Sequence, residues 1–432
     1  MNKILGIRRE DKNKWERRVA IIPNHVSELK EKQGIKTILQ PSDIRIFKDS
    51  EYKSAGAEIK EDISESDVIF AVKEIPKELL IKNKTYVFFS HTIKGQDYNM
   101  PMLKELMDLN CTLIDYEKIS DDKGNRLVFF GRHAGIAGMI DTLWAFGKRL
   151  EYKGIKNPFS EIKKTIDYET LDEAKNHIRK IGEKITKNVL DENLTPIVIG
   201  LAGYGHVSQG AQEILDLLPI EEISPGQLEA IHEHYQDNVI YKVVFKEKDI
   251  VEPVSNELNF NLQEYYDKPH FYRTIFPKYI KRLSILMNCI YWDKRYPRLF
   301  TKDFLEENFT GIMKLQVVGD ISIDINGAIE FTEKATDPDN PVFVYNPIRR
   351  DLIDGYKGKG VVVMAVDNLP CELPRDSSIY FSNSLIGFIP DILNADYNVN
   401  FYDLKLPKEI KKAVIVYQGK LTPDYQYINK YL

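Results

Sequence analysis

Five short stretches carry side chains able to handle protons or bind anions. In "VIFAVKEIP", Val68 to Pro76, Lys73 and Glu74 follow an apolar run and precede a proline that forbids easy continuation of a strand. "FFSHTIKGQ" ends another apolar run with His91, and "LIDYEKISDDKGNRLVFFG" adds Glu117 and Arg126. "RREDKNKWERRVAIIP" packs four arginines, two lysines and three acids before an apolar turn, Arg18 among them. Most such charges form a solvated face, yet arginine is the natural clamp for a planar carboxylate because its donors match both oxygens. A lysine, a histidine and an acid at successive strand ends of one parallel sheet converge in the crevice where such sheets bind ligands. They would supply an acid, a base and their charge partners.

The fifth stretch is "IVIGLAGYGHVSQGAQEIL". Ile197 to Leu201 read as a buried strand and Ala211 to Leu218 as a helix. Gly203, Gly205 and Gly210 lie between them, spaced G-x-G-x-x-x-x-G rather than G-x-G-x-x-G. The first glycine permits a tight turn. The second lets the backbone approach a pyrophosphate, whose charge is met by the helix N-terminus. Tyr204, His206 and Val207 complete this candidate dinucleotide turn. In the usual arrangement an acid ending the next strand holds the ribose hydroxyls. Glu221 and Glu222 in "PIEEISP" stand at a plausible distance with no arginine nearby, which leans towards NAD(H). The later cluster "GYKGKG", Gly355 to Gly360, precedes a strand and is read as a loop.

These residues need elements to position them. "KILGIRR", "KTILQPS", "VIFAVKE", "TYVFFSH" and "CTLIDYE" are strand candidates, and "PNHVSELKEKQG" is a helix with a proline start and a glycine stop. That alternation is the rhythm of an α/β domain with a mostly parallel sheet. Helix candidates follow at "GIAGMIDTLWAFGKRLEY" and from about Ser160 to Glu192. Later strands are expected in "GIMKLQVVGDISI" and "GVVVMAVDNLP". Residues Lys246 to Pro277 read as a long excursion from the second domain.

At 432 residues the chain fits two domains, and its 43% hydrophobic and 29% charged residues are those of a soluble globular protein. A net charge of −5 gives no reason to expect nucleic acid or an anionic membrane as partner. No apolar run approaches the roughly 20 residues that span a bilayer, and the N-terminus lacks the apolar core of a secretory signal. Cys111, Cys289 and Cys371 are far apart and beside apolar runs, so core roles and a reducing cytoplasm are expected. In "IHEHYQD", His232 and His234 are two apart and would diverge on a helix, which argues against a metal site.

The stretches "ERRVAIIP", "VKEIP", "FFSH", "DYEKISDDKGNRLVFFGRHAGIAG", "GYGHVSQGAQEIL", "NCIYWDKRYPRLFT", "GDISIDINGAIEF" and "VDNLPCELPRDSS" occur in the order found in lysine–ketoglutarate reductases. The chain resembles that L-lysine-forming saccharopine dehydrogenase half of aminoadipic semialdehyde synthase from about Ile4 to its C-terminus. More distantly it is similar to alanine dehydrogenase and transhydrogenase. The resemblance implies an α/β fold of two Rossmann-like domains with parallel sheets and a cleft between them, the C-terminal segment returning to the first. Residues 1–134 plus about 375–432 would form the catalytic, substrate-binding domain, and 135–374 the dinucleotide-binding domain. The chain ends where a second dehydrogenase would begin in the fused enzyme, so one activity is expected.

By motif, the resemblance makes Arg18 and Arg126 anchors for oxoacid carboxylates and Lys73 and His91 the acid–base pair. It makes Glu74 and Glu117 the carboxylates beside them. Asp320 and Asp324 flank the place of a cleft aspartate, and the motif leaves open which is its equivalent. Arg132 and His133 stand where relatives more often carry aromatics, a departure that could alter the substrate pocket. The implied reaction is reductive condensation of L-lysine with 2-oxoglutarate to saccharopine, with NADP(H) as cofactor and NAD(H) as the alternative. Rival readings are another amino-acid dehydrogenase of the superfamily and a catalytically silent NAD(P)-binding module. Oligomeric state is left open, a homo-oligomer included.

Overall fold

The apolar runs of the N-terminal third become short parallel strands. They are β1 (Ile4–Ile7), β2 (Lys36–Leu39), β3 (Glu58–Ile59), β4 (Val68–Phe70), β5 (Thr85–Phe88) and β6 (Thr112–Asp115). Every residue of β4, β5 and β6 is buried, the signature of a sheet covered on both faces. The computed structural model describes residues 3–187, 190–231, 233–255, 258–309 and 313–432. It divides into one unit of Met1–Phe130 with Pro374–Leu432 and another of Gly131–Leu373.

The second unit contains β7 (Ile197–Ala202), β8 (Ile220–Glu222), β9 (Ile240–Phe245), the hairpin β10 (Val251–Pro253) and β11 (Tyr272–Thr274), and β12 (Ile285–Asn288). It continues with β13 (Val317–Asp320), β14 (Val342–Asn346), β15 (Asp351–Asp354) and β16 (Val361–Met364). The chain then returns to the first unit through a helix, Pro374–Leu385, and two strands at one end of its sheet, β17 (Val414–Tyr417) and β18 (Lys420–Leu421).

The first sheet runs β18-β17-β6-β5-β4-β1-β2-β3, with β17 antiparallel to β6. Strand order reverses between β1 and β4. In an open α/β sheet, ligands bind beyond the carboxyl ends of the strands at that reversal. The loop after β1 carries Arg8 to Arg18, and the loop after β4 carries Lys73 and Glu74, so both border this point.

The second sheet runs β15-β14-β16-β13-β12-β7-β9-β8, with its reversal between β7 and β12. The glycine turn follows β7 directly. On the side away from β12, the neighbour of β7 is β9, paired over six residues from Ile197↔Ile240 to Ala202↔Phe245. Glu221 and Glu222 lie on β8, the next strand in sequence but one strand further out in the sheet. The cause is legible in the residues: β9 is nearly all buried, while β8 is short and half exposed, as suits an edge.

Other expectations differ in extent. "GIAGMIDTLWAFGKRLEY" forms the core of a 22-residue helix, Gly131–Tyr152, and the charged stretch after it yields Leu171–Lys187. The helix after the glycine turn starts earlier than Ala211, at His206, and ends at Leu215. Residues 246–277 hold the β10–β11 hairpin and short helices. "GYKGKG" is a loop between β15 and β16. His232 and the first two residues of "GIMKLQVVGDISI" lie outside the described residues. Among those described, no helix is long and apolar enough to cross a membrane.

Candidate active site

Strand β4 ends at Phe70, three residues before Lys73, and Ala71 and Val72 stay buried beyond it. The last amides of this run have no strand ahead of them. Glu10, from the loop after β1, takes them instead: Val72 N–H donates to Oε1 at 2.7 Å and Lys73 N–H to Oε2 at 2.9 Å. Burial, reinforced by Glu16, pushes the Glu10 carboxyl up to about 7 against the pull of those two amides. The carboxylate therefore fixes the backbone from which Lys73 projects.

Burial also pushes the Lys73 ammonium down from the ordinary lysine range. The cations of Arg18 and Lys12 act the same way, opposed by Glu16 and Glu74. A lysine whose charged form is disfavoured by burial gives up its proton more readily than an exposed one.

Beside it, Glu74 Oε1 meets His91 Nδ1 at 2.5 Å, and Glu74 Oε2 faces Lys12 Nζ at 3.4 Å. Burial raises the Glu74 carboxyl, but the His91 hydrogen bond and the nearby cations win and bring it down to about 2. His91 holds a left-handed backbone, φ 49°, uncommon outside glycine and often found at sites where a side chain must be aimed. Phe89 lies parallel to the His91 ring, 13° between planes with centroids 6.2 Å apart. Glutamate, histidine and lysine from the ends of β4 and β5 thus share one neighbourhood.

Arg18 reaches the same neighbourhood already partnered. Its Nε and Nη2 donate to the two oxygens of Glu16 at 2.8 and 2.5 Å, and both side chains are essentially buried. The guanidinium lies over the Phe130 ring at 4.3 Å, and Phe130 stacks on Phe381 of the returning helix at 4.5 Å. That helix also holds the irregular loop in place. Ser378 Oγ accepts from Val19 N–H at 3.0 Å, and Ser382 Oγ accepts from Ile22 N–H at 3.1 Å. A buried irregular segment must find such partners.

Glu117 follows β6, where its amide donates to Asp115 Oδ1 at 2.8 Å, and its carboxylate pairs with Arg126. Arg126 is half exposed and Glu117 mostly buried. Asp115 is buried, accepts from the Ser90 amide and hydroxyl, and is electrostatically linked to both Glu117 and His91. The first unit therefore gathers Arg18, Lys73, Glu74, His91, Glu117 and Arg126 around the carboxyl ends of its central strands.

In the second unit, Gly203 takes a left-handed φ of 96°, and an added Cβ would sit 3.1 Å from the Cys289 carbonyl after β12. Gly205 caps the helix His206–Leu215 in an extended conformation, and an added Cβ would meet nothing within 4 Å. Open space above a helix N-terminus suits a pyrophosphate. Gly210 serves packing: its Cβ would stand 2.0 Å from the Arg132 carbonyl of the helix Gly131–Tyr152. Val207 supports the same contact, its carbonyl lying 1.9 Å from where a Cβ on Gly135 would be. Tyr204 is exposed and its hydroxyl donates to Glu247 at 3.4 Å.

Asp320 ends β13 and is buried, accepting from Asn288 Nδ2 at 2.8 Å, Thr332 Oγ1 at 2.6 Å and Ile323 N–H at 3.2 Å. It braces the sheet end. Asp324, four residues on, is partly exposed in the following turn. Arg132 donates to both oxygens of Glu213 at 2.8 and 2.6 Å, so it pins two helices together rather than facing a ligand. His133 is buried in the same helix. Glu222 pairs with the buried Lys242 at 3.0 Å.

Glu10, Glu16 and Lys12 did not stand out in the sequence, where their stretch reads as a mostly solvated charge run. In the structure Arg8, Glu10, Glu16 and Arg18 are all buried. Their position right after the first strand of a parallel sheet was the available signal. All three cysteines are free, and among the described residues no cluster of His, Cys, Asp and Glu could hold a metal ion.

Residues 6–137 match the alanine dehydrogenase/PNT N-terminal domain, and residues 276–424 match its C-terminal domain. The chain is 36% identical over 444 residues to alpha-aminoadipic semialdehyde synthase of Arabidopsis thaliana, covering 99% of this chain and 41% of that protein. It is 33% identical over 450 residues to the mitochondrial alpha-aminoadipic semialdehyde synthase of Mus musculus, covering 99% of this chain and 48% of that one. The chain thus spans less than half the length of these relatives. Among solved structures, an L-alanine dehydrogenase superimposes with a TM-score of 0.63 at 19% identity, covering 99% of both chains. That likeness establishes a fold of two Rossmann-like domains, each built here on an eight-stranded, predominantly parallel sheet. The chain thus carries matches to both the N-terminal and the C-terminal domain of the alanine dehydrogenase/PNT family.

Proposed function

We propose that this chain is an oxidoreductase that reductively condenses the ε-amine of L-lysine with 2-oxoglutarate to give saccharopine. The observation that carries the reading is the 2.5 Å Glu74–His91 contact next to the half-buried Lys73, at the strand-order reversal of the first unit. Similarity over 99% of the chain to aminoadipic semialdehyde synthases supports the choice of substrates. A nicotinamide nucleotide fits the glycine turn of the second unit, held by Gly203, Tyr204, Gly205, His206 and Val207. When bound it supplies the hydride, and NADP(H) is proposed over NAD(H).

The residues of the first unit then divide the remaining work. The incoming ε-amine must be neutral to attack the ketone, and Lys73, with its depressed basicity, accepts that proton. The addition product must lose water to become an imine, and His91, oriented by Glu74, protonates the departing hydroxyl. Arg126 and Arg18 face the two oxoacid carboxylates, each charge-assisted contact contributing about 1.5–3 kcal/mol. Glu117 holds Arg126 in place. Free cysteines suit a reducing compartment, proposed as the cytoplasm.

The fold shared with L-alanine dehydrogenase favours a second reading, in which ammonia is the amine. The two separate in one assay. NADPH oxidation is followed with 2-oxoglutarate plus lysine, ornithine or ammonia, and repeated with NADH. The proposal expects lysine to exceed the others by at least tenfold in kcat/KM. Equal or greater rates with ammonia contradict it.

A further inference from the structure

The strand beside β7 is β9, and its end, not the acidic end of β8, meets the glycine turn. Gly203 N–H donates to the Phe245 carbonyl at 3.0 Å, which places Lys246 next to the turn. The Lys246 ammonium lies 5.8 Å from the centre of the Tyr204 ring. A cavity of about 500 Å³ opens here, bordered by Lys246 and Lys248 and by the turn Ser224–Pro225–Gly226.

Three acids lie nearby, and each has a partner. Glu222 pairs with Lys242 at 3.0 Å, Asp249 Oδ2 accepts the Lys246 amide at 3.0 Å, and Glu247 accepts the Tyr266 hydroxyl at 2.7 Å. Lys246 and Lys248 are both exposed. An acid that is to hold a ribose diol must offer its oxygens to two hydroxyls. Glu222 spends its charge on a buried lysine instead.

We propose that Lys246 and Lys248 form the receptor for the 2′-phosphate of NADP(H), making this cavity the determinant of cofactor choice. The inference rests on the nucleotide-binding reading of the glycine turn. A phosphate monoester carries about −1.5 to −2 at neutral pH, which two ammonium groups balance. Lysine acts there as a point charge without the geometry of arginine's fork, so no arginine is required. Of the β8 acids, which lean towards NAD(H) when read from sequence, Glu222 is engaged by Lys242, which Asp216 also contacts at 2.9 Å.

The test is calorimetric titration of the whole chain with adenosine 2′,5′-bisphosphate and with 5′-ADP, needing neither amine nor oxoacid. The wild type is expected to bind the 2′,5′-bisphosphate at least tenfold more tightly. Lys246→Ala with Lys248→Ala should weaken the 2′,5′-bisphosphate at least tenfold while 5′-ADP stays within twofold, the latter reporting an intact unit. Equal wild-type affinities, or parallel loss of both ligands in the variant, overturn the proposal. If these ligands behave as expected but lysine is not a substrate, only the proposed reaction fails.

Discussion

The guanidinium of Arg18 delivers its Nε and Nη2 to the two oxygens of Glu16, at 2.8 and 2.5 Å, with both side chains buried. The two-point geometry is the one expected for a substrate carboxylate, and here a residue of the chain occupies it. Arg18 therefore has a structural duty besides any contact with oxoacid. Breaking a buried ion pair from one side costs about 3–5 kcal/mol because a charge is left uncompensated. Arg18→Ala should lower stability by that amount, measured by urea unfolding. The double variant Glu16→Gln with Arg18→Gln should recover most of the loss. In that stable background the KM for 2-oxoglutarate should still rise at least tenfold, with the KM for lysine changed less than threefold. An unchanged oxoacid KM there makes Arg18 purely structural.

Glu10 ties pH to stability with a definite sign. Its carboxyl is raised from the ordinary 4.5 to about 7, so the folded state binds more protons than the unfolded one between those values. That contribution is fully present below pH 4.5 and is lost as pH rises through about 7. The shift corresponds to at most about 3 kcal/mol. Glu10→Gln keeps a carbonyl for one amide and cannot ionise. Unfolding free energies at pH 5 and pH 8 should fall less steeply in this variant than in the wild type; an identical slope contradicts the assignment.

Lys73→Met preserves length and burial while removing the ammonium. Turnover should drop at least a thousandfold, with nucleotide affinity within threefold. A lysine depressed by burial and acting as base must lose its proton to work. Wild-type kcat/KM should therefore rise with pH through a value below 10.5, and the residual activity of the variant should lack that limb. A variant with near wild-type rates across the pH range removes Lys73 from the chemistry.

Gly205→Val isolates the nucleotide site. Gly205 has an extended backbone and its added Cβ would touch nothing, so the fold should tolerate valine. A bound pyrophosphate should not, because the side chain fills the approach to the helix amides. Nucleotide titration should show at least a hundredfold loss with an unchanged circular dichroism spectrum. Retained affinity would move the cofactor elsewhere.

How much of this was legible in the residues follows from separation along the chain. Buried strands, the glycine turn and the long helix announce themselves locally, through apolar runs and spacing. Lys73 and His91 were visible because each closes such a run. Glu10 and Glu16 were not: their burial depends on β4 lying beside β1, a pairing between residues more than 60 apart. The seating of Arg18 depends on Ser378 and Phe381, about 360 positions on. Glu222 stands one strand further from β7 than the sequence order suggests, because β9 is inserted between them. Arg132 read as a pocket residue because its partner Glu213 lies 81 residues away on another helix.

The central claim is that this chain joins the lysine ε-nitrogen to C2 of 2-oxoglutarate and delivers a hydride to that carbon. Incubation with NADPH deuterated at the transferable C4 position, L-lysine and 2-oxoglutarate, followed by mass spectrometry and proton NMR, tests it directly. The account predicts saccharopine carrying one deuterium at the glutarate C2, formed in step with NADPH oxidation. Unlabelled saccharopine, or deuterium appearing only in glutamate made from ammonia, contradicts it.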